Sequence, residues 1–254
     1  MVFKRSFGKP SKGHVIVVHG LGEHFRRHHR LIEELKKHGY KVHTFDWPGH
    51  GMSPGTRGHT TVEECVDIID SMVKDIQGEP FLFGHSLGGL AVLRYAEEKP
   101  SRIKGVVSSS PALQPSEDTS GFTVALASLL SYIVPHSTIS NSIRTRDLTS
   151  SKKERKKYRE DEMVHDRISF ALARSLFYNM KKAHNGRLNV PVLILAGTED
   201  KITPMEGAQR FVNGLECEDK ELSIFQGAFH EIFNEPELQE KYYDEILGWL
   251  EECS

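Results

Sequence analysis

The stretch Pro80-Phe81-Leu82-Phe83-Gly84-His85-Ser86-Leu87-Gly88-Gly89-Leu90-Ala91-Val92-Leu93 decides the fold. Residues 80–83 are an apolar run of strand length, and 89–98 read as a helix. Between them stands Gly84-His85-Ser86-Leu87-Gly88. Strand, sharp turn and helix is the context in which G-x-S-x-G exposes a serine hydroxyl at the end of a sheet. The glycines leave room where the flanking backbones crowd together. A second match, Gly51-Met52-Ser53-Pro54-Gly55, lies in the Gly/Pro-rich run 48–58 with no helix after it. That run reads as loop, so Ser53 is set aside and Ser86 is the candidate nucleophile.

Outward from this turn, strands and helices alternate. Residues 14–18 form a continuous apolar run, the pattern of a strand buried on both faces. Phe25, Leu31, Ile32 and Leu35 then fall at helical spacing over 25–38, and 40–45 read as a strand. Thr61, with Glu64 three residues on, opens a helix whose apolar face runs from Val62 to Ile76. Beyond the central turn come strands at 103–107, 190–197 and 221–225, and helices at 204–213 and 236–251. Such alternation predicts an α/β fold: a mostly parallel sheet with helices on both faces. The rhythm breaks over 111–185. That segment holds an apolar stretch at 121–134, a basic cluster at 152–157 and a third helical stretch at 169–182. It is expected to be a helical cap inserted in a core made of 1–110 and 186–254.

Composition narrows the function. The chain has 254 residues, with 33 Lys and Arg against 35 Asp and Glu, for a formal net charge of −2. A nucleic-acid partner calls for a basic excess, which is missing. Three distant cysteines, Cys65, Cys217 and Cys253, argue against a disulfide framework and fit a reducing compartment. The scattered histidines and the lack of a C-x-x-C pair argue against a metal site. No apolar run reaches membrane-spanning length, and residues 1–7 lack the apolar core of a secretion signal. The expected location is cytoplasmic.

A serine hydroxyl is a weak nucleophile without a base, and the base needs an orienting carboxylate. With a nucleophile of this kind the chain order is Ser, then Asp or Glu, then His. Only His230 lies after residue 200 among the histidines, in the loop after strand 221–225. Asp200 follows strand 190–197, with Glu199 as its neighbouring competitor. Ser86, Asp200 and His230 all come from loops at strand C-terminal ends, where open α/β sheets bind ligands. An oxyanion needs fixed donors. The backbone N–H groups of Leu87, after the nucleophile, and Leu21, in the early loop His19-Gly20-Leu21-Gly22, are the candidates.

The motifs His19-Gly20-Leu21-Gly22-Glu23-His24, Asp46-Trp47-Pro48-Gly49-His50-Gly51-Met52-Ser53 and Gly84-His85-Ser86-Leu87-Gly88-Gly89, with the Asp200 and His230 loops, resemble the monoacylglycerol lipase family of serine α/β-hydrolases, also described as lysophospholipase-like. The resemblance spans nearly the whole chain. It includes Asp161-Glu162-Met163-Val164-His165 in the cap, with Glu162 where Pro is usual. It implies an α/β-hydrolase fold and cleavage of monoacylglycerols to fatty acid and glycerol without a cofactor. It also implies an apolar acyl tunnel under the cap. Glu23 and Arg27 match positions near the glycerol end of the site, although Glu23 could equally brace its loop. The chain before His14 is shorter than in relatives, so a reduced first sheet edge is expected. The alternatives are a general carboxylesterase or lysophospholipase using the same triad, and a non-catalytic binding protein of the same fold. The stretch 121–134 reads as a buried cap helix or as a lid that meets a membrane or micelle, one face for each. Peripheral membrane contact through the cap follows from the second reading.

Overall fold

The computed structural model describes residues 2–116 and 119–254, with Phe122 and Thr123 as backbone only. Residues 117 and 118 of the expected cap lie outside it. In chain order the core opens with β1 (Lys4–Phe7), β2 (Gly13–Val18), α1 (His29–Lys37), β3 (Tyr40–Phe45) and α2 (Val62–Lys74). β4 (Phe81–His85), α3 (Leu87–Glu98) and β5 (Gly105–Ser109) follow. Next come α4 (Gly121–Ile133), β6 (Thr138–Ser140), α5 (Lys152–Glu160), β7 (Arg167–Ser169) and α6 (Phe170–Ala183). The chain closes with β8 (Val192–Gly197), α7 (Met205–Gly214), β9 (Lys220–Phe225) and α8 (Gln239–Glu252).

Seven strands form one sheet in the order β1-β3-β2-β4-β5-β8-β9. Every pairing is parallel except β1 with β3. The chain reverses its direction of travel across the sheet between β3 and β4, which places the β2 and β4 loops side by side. That is the switch point at which such sheets hold ligands. The period-2 pattern of β2 divides the core. Val15 and Val17 pack with α1 and α8, and Ile16 and Val18 pack with α2 and α3.

Four boundaries differ from the sequence reading. β5 starts two residues later than 103 and continues through Ser108 and Ser109, because β4 and β8 pair with it on both sides. Backbone pairing outweighs hydropathy there. Residues 25–28 form a 3-10 turn ahead of α1. β1 carries no apolar alternation, since it is an edge strand with mostly exposed side chains. Between β5 and β8, β6 and β7 pair antiparallel, so a short ribbon accompanies the helices. The Thr61 cap forms, its hydroxyl accepting the Glu64 N–H at 3.1 Å. The Glu64 carboxylate instead accepts from the Thr60 hydroxyl at 2.8 Å.

Candidate active site

Ser86 joins β4 to α3 with φ 54° and ψ −116°, a conformation that costs a non-glycine residue strain. The flanking glycines permit it. A Cβ on Gly84 would lie 2.3 Å from the Gly88 carbonyl oxygen, and one on Gly88 would lie 2.4 Å from those of Val18 and His19. The Ser86 N–H is tied to Ser109 O at 3.0 Å. Leu87 begins α3, so its N–H has no acceptor one turn back. Ser53, in the decoy motif, holds loop to strand instead. Its hydroxyl donates to Asp46 O at 2.6 Å and accepts the Phe3 N–H at 2.8 Å.

Loops after β8 and β9 meet beside Ser86. His230 Nδ1 lies 2.8 Å from Asp200 Oδ2, and both residues are buried. Asp200 Oδ1 accepts the backbone N–H groups of Ile202 and Thr203, each at 2.9 Å. Glu199, the competitor, is exposed. With its proton on Nδ1, His230 presents Nε2 as an acceptor. Burial alone would lower the His230 pKa, but the Asp200 charge and hydrogen bond, with Glu231 and Glu23, raise it above the ordinary imidazole value.

One small cavity is lined by Ser86, His230, Gly20 and Leu21, by Glu23, His85 and Glu231, and by Ile143, Leu148 and Tyr158. Glu23 Oε1 accepts the Gly20 N–H at 2.6 Å, which orients the peptide leading into Leu21. Its other oxygen accepts from Arg27 Nε at 3.2 Å. Arg27 Nη2 lies 2.7 Å from both Glu231 oxygens, and its guanidinium stacks 4.6 Å from the Tyr158 ring. Burial would raise the Glu23 carboxyl, yet His28, through charge and hydrogen bond, and Arg27 hold it well below the carboxylate range. Burial opposes charge on Arg27 as well, and Glu231 and Glu23 more than compensate. Burial and the neighbouring His230 keep His85 well below its usual pKa, so it stays neutral. The cavity lining therefore includes two buried carboxylates, Glu23 and Glu231, both bonded to the Arg27 guanidinium.

The 161–165 motif bonds to the same loop. His24 Nε2 lies 2.9 Å from Asp161 Oδ2, and the His165 N–H donates to Gly22 O at 2.9 Å. Asp46 anchors the loop from below, accepting Phe25 N–H at 3.0 Å and Met52 N–H at 2.8 Å.

Sequence reasoning missed Tyr158, Glu231, His85 and Thr203 as parts of the site. Tyr158 had a signal: it is the one aromatic ring in the charged run 152–160. Glu231 and Thr203 had none beyond nearness to His230 and Asp200. Among the described residues no group of three His, Cys, Asp or Glu is arranged to hold a metal ion.

The family described as serine aminopeptidase, S33, matches residues 9–237. Human monoglyceride lipase is 31% identical over 250 residues, covering 94% of this chain and 82% of that protein. A crystal structure of Paleococcus ferrophilus monoacylglycerol lipase superposes with a TM-score of 0.99 at 49% identity over the full length of both chains. A soluble variant of the Saccharomyces cerevisiae monoglyceride lipase, solved with a substrate analog, gives 0.87 at 25% identity, covering 99% of this chain and 91% of that one. With the elbow, the sheet order and these matches together, the chain belongs to the monoacylglycerol lipase family of serine α/β-hydrolases.

Proposed function

We propose that this protein hydrolyses the ester bond of monoacylglycerols, releasing fatty acid and glycerol. The observation that carries the reading is the buried 2.8 Å His230–Asp200 contact beside Ser86 in one cavity. Ser86 Oγ attacks the acyl carbonyl while His230 Nε2 takes its proton. Asp200 stabilises the imidazolium, and the Leu21 and Leu87 N–H groups hold the oxyanion. His230 then protonates the departing glycerol oxygen. Water attacks the acyl-serine with the same histidine as base, which frees the fatty acid and restores Ser86.

Glu23 fits a bracing role, since Gly20, Arg27 and His28 already occupy its oxygens. The net acidic floor formed with Arg27 and Glu231 suits a neutral, hydroxyl-rich leaving group and opposes a phosphate. Residues 111–185 act as the cap and supply Ile143, Leu148 and Tyr158 to the cavity. The outer side of α4 exposes Leu129, Tyr132 and Ile133 at 59%, 69% and 67%, an apolar surface suited to transient contact with a membrane or micelle. No helix among the described residues is long and apolar enough to cross a membrane. Three free cysteines fit a cytoplasmic setting with peripheral lipid contact.

The test is fatty-acid release from a chain-length series of monoacylglycerols, beside p-nitrophenyl esters and lysophosphatidylcholine. The highest kcat/KM is expected on a monoacylglycerol. A clear preference for lysophosphatidylcholine, or for short aryl esters alone, would overturn the substrate assignment.

A further inference from the structure

We infer that Thr203, lying against the Ser110 carbonyl, is a positioning residue that governs how firmly Asp200 holds the Nδ1 proton of His230. The inference rests on the triad reading above. Asp200 Oδ2 faces two donors: His230 Nδ1 and the Thr203 hydroxyl, each at 2.8 Å. With two backbone N–H groups on Oδ1, all four acceptor sites of the carboxylate are filled. The carboxylate can neither rotate nor slide without breaking one of these bonds.

Thr203 has one hydroxyl proton and two acceptors within reach. Asp200 Oδ2 is at 2.8 Å and Ser110 O at 3.0 Å. Donation to the charged oxygen is the stronger bond. It divides the Asp200 charge between imidazole and hydroxyl. His230 Nδ1 is itself 3.2 Å from Thr203 Oγ1, so the hydroxyl sits at the corner of the pair. The other groups facing His230 are the Asp200, Glu231 and Glu23 carboxylates and the His85 ring, 4.8 Å away. Among the described residues, Thr203 is the one neutral hydroxyl in contact with both side chains of the pair.

Ser110 fixes this corner. It is buried with φ 45°, a left-handed conformation unfavourable for a serine. Its N–H donates to Leu195 O at 2.7 Å, and its hydroxyl donates to the His230 carbonyl at 2.8 Å. Its own carbonyl meets Thr203. One strained residue after β5 thus joins the loops after β8 and β9. Strain at such a position persists where the surroundings over-determine it.

The experiment compares wild type, Thr203→Val, Thr203→Ala and Thr203→Ser in kcat/KM against pH, with kcat and KM resolved separately. Without the hydroxyl, Asp200 Oδ2 faces the imidazolium as its one remaining donor, while the two backbone N–H groups stay on Oδ1. The acid limb of Thr203→Val should then move up by roughly half a pH unit, with kcat reduced several-fold and KM little changed. Thr203→Ser should restore the wild-type limb. Thr203→Ala gives the same readout if the valine variant does not fold. A limb that stays put or moves down in the hydroxyl-free variants, or a folded Thr203→Ser that fails to restore it, overturns the inference. A merely structural role would lower activity without moving the limb. The outcomes separate from the triad reading: turnover surviving in Ser86→Ala refutes that reading, whereas an inactive Ser86→Ala with an unmoved Thr203→Val limb refutes this inference alone.

Discussion

In the proposed mechanism His230 must be neutral to accept the Ser86 proton, and its surroundings favour the charged form. Burial opposes that charge, but Asp200, Glu231 and Glu23 prevail and the folded pKa is raised. The sign follows: activity is full above the folded pKa and is lost as pH falls through it. The midpoint of the acid limb of kcat/KM is therefore expected above the ordinary imidazole value of about 6.5. Asp200→Asn removes the main source of that shift and should lower turnover by a factor on the order of 10⁴, as loss of the orienting acid does in comparable triads. A pH–rate profile with the limb below the ordinary value would contradict the electrostatics. At this scale chain order carried most of what was legible. A serine in a strand–turn–helix, an acid after a late strand and a single late histidine brought three residues together. Thr203, Ser110 and Glu231 were not legible, because each acts through a tertiary contact with no periodic or motif signature. Arg27 was singled out by resemblance, yet its partner Glu231 lies 204 residues away.

Elements were legible where burial set their pattern. The strands at 14–18 and 40–45 and the helix from Val62 lie where apolar spacing put them. β1 and the β6–β7 ribbon were not, since strands of three or four residues are defined by backbone pairing and are too short to show an alternation. α4 belongs to a third case. It is apolar on much of its surface, and its inner side packs on α6 through residues such as Ala127 while Leu129, Tyr132 and Ile133 face out. Burying such side chains in lipid is worth about 1.5–3 kcal/mol each, enough for reversible attachment when several act together. Replacing Leu129, Tyr132 and Ile133 together by serine should reduce sedimentation with phosphatidylcholine vesicles at least tenfold. Hydrolysis of a water-soluble short-chain ester should stay within a few-fold. Unchanged vesicle binding would remove the lipid-facing role from α4.

At the scale of the whole molecule, two cores hold one sheet. α1 and α8 cover one face; α2, α3 and α7 cover the other, with α6 packed on α2 and α3. This arrangement aims the loops after β2, β4, β8 and β9 at a single point, and Asp161 and His165, between α5 and β7, bond to His24 and Gly22 of the loop after β2. The central claim is that Ser86, and not the serine of the second G-x-S-x-G motif, carries the acyl group. Mass spectrometry of the intact and digested protein after reaction with a fluorophosphonate measures this directly. One adduct per chain is expected, on the peptide containing Ser86, and none in Ser86→Ala. An adduct on Ser53, or an unlabelled protein that still hydrolyses monoacylglycerol, would contradict it.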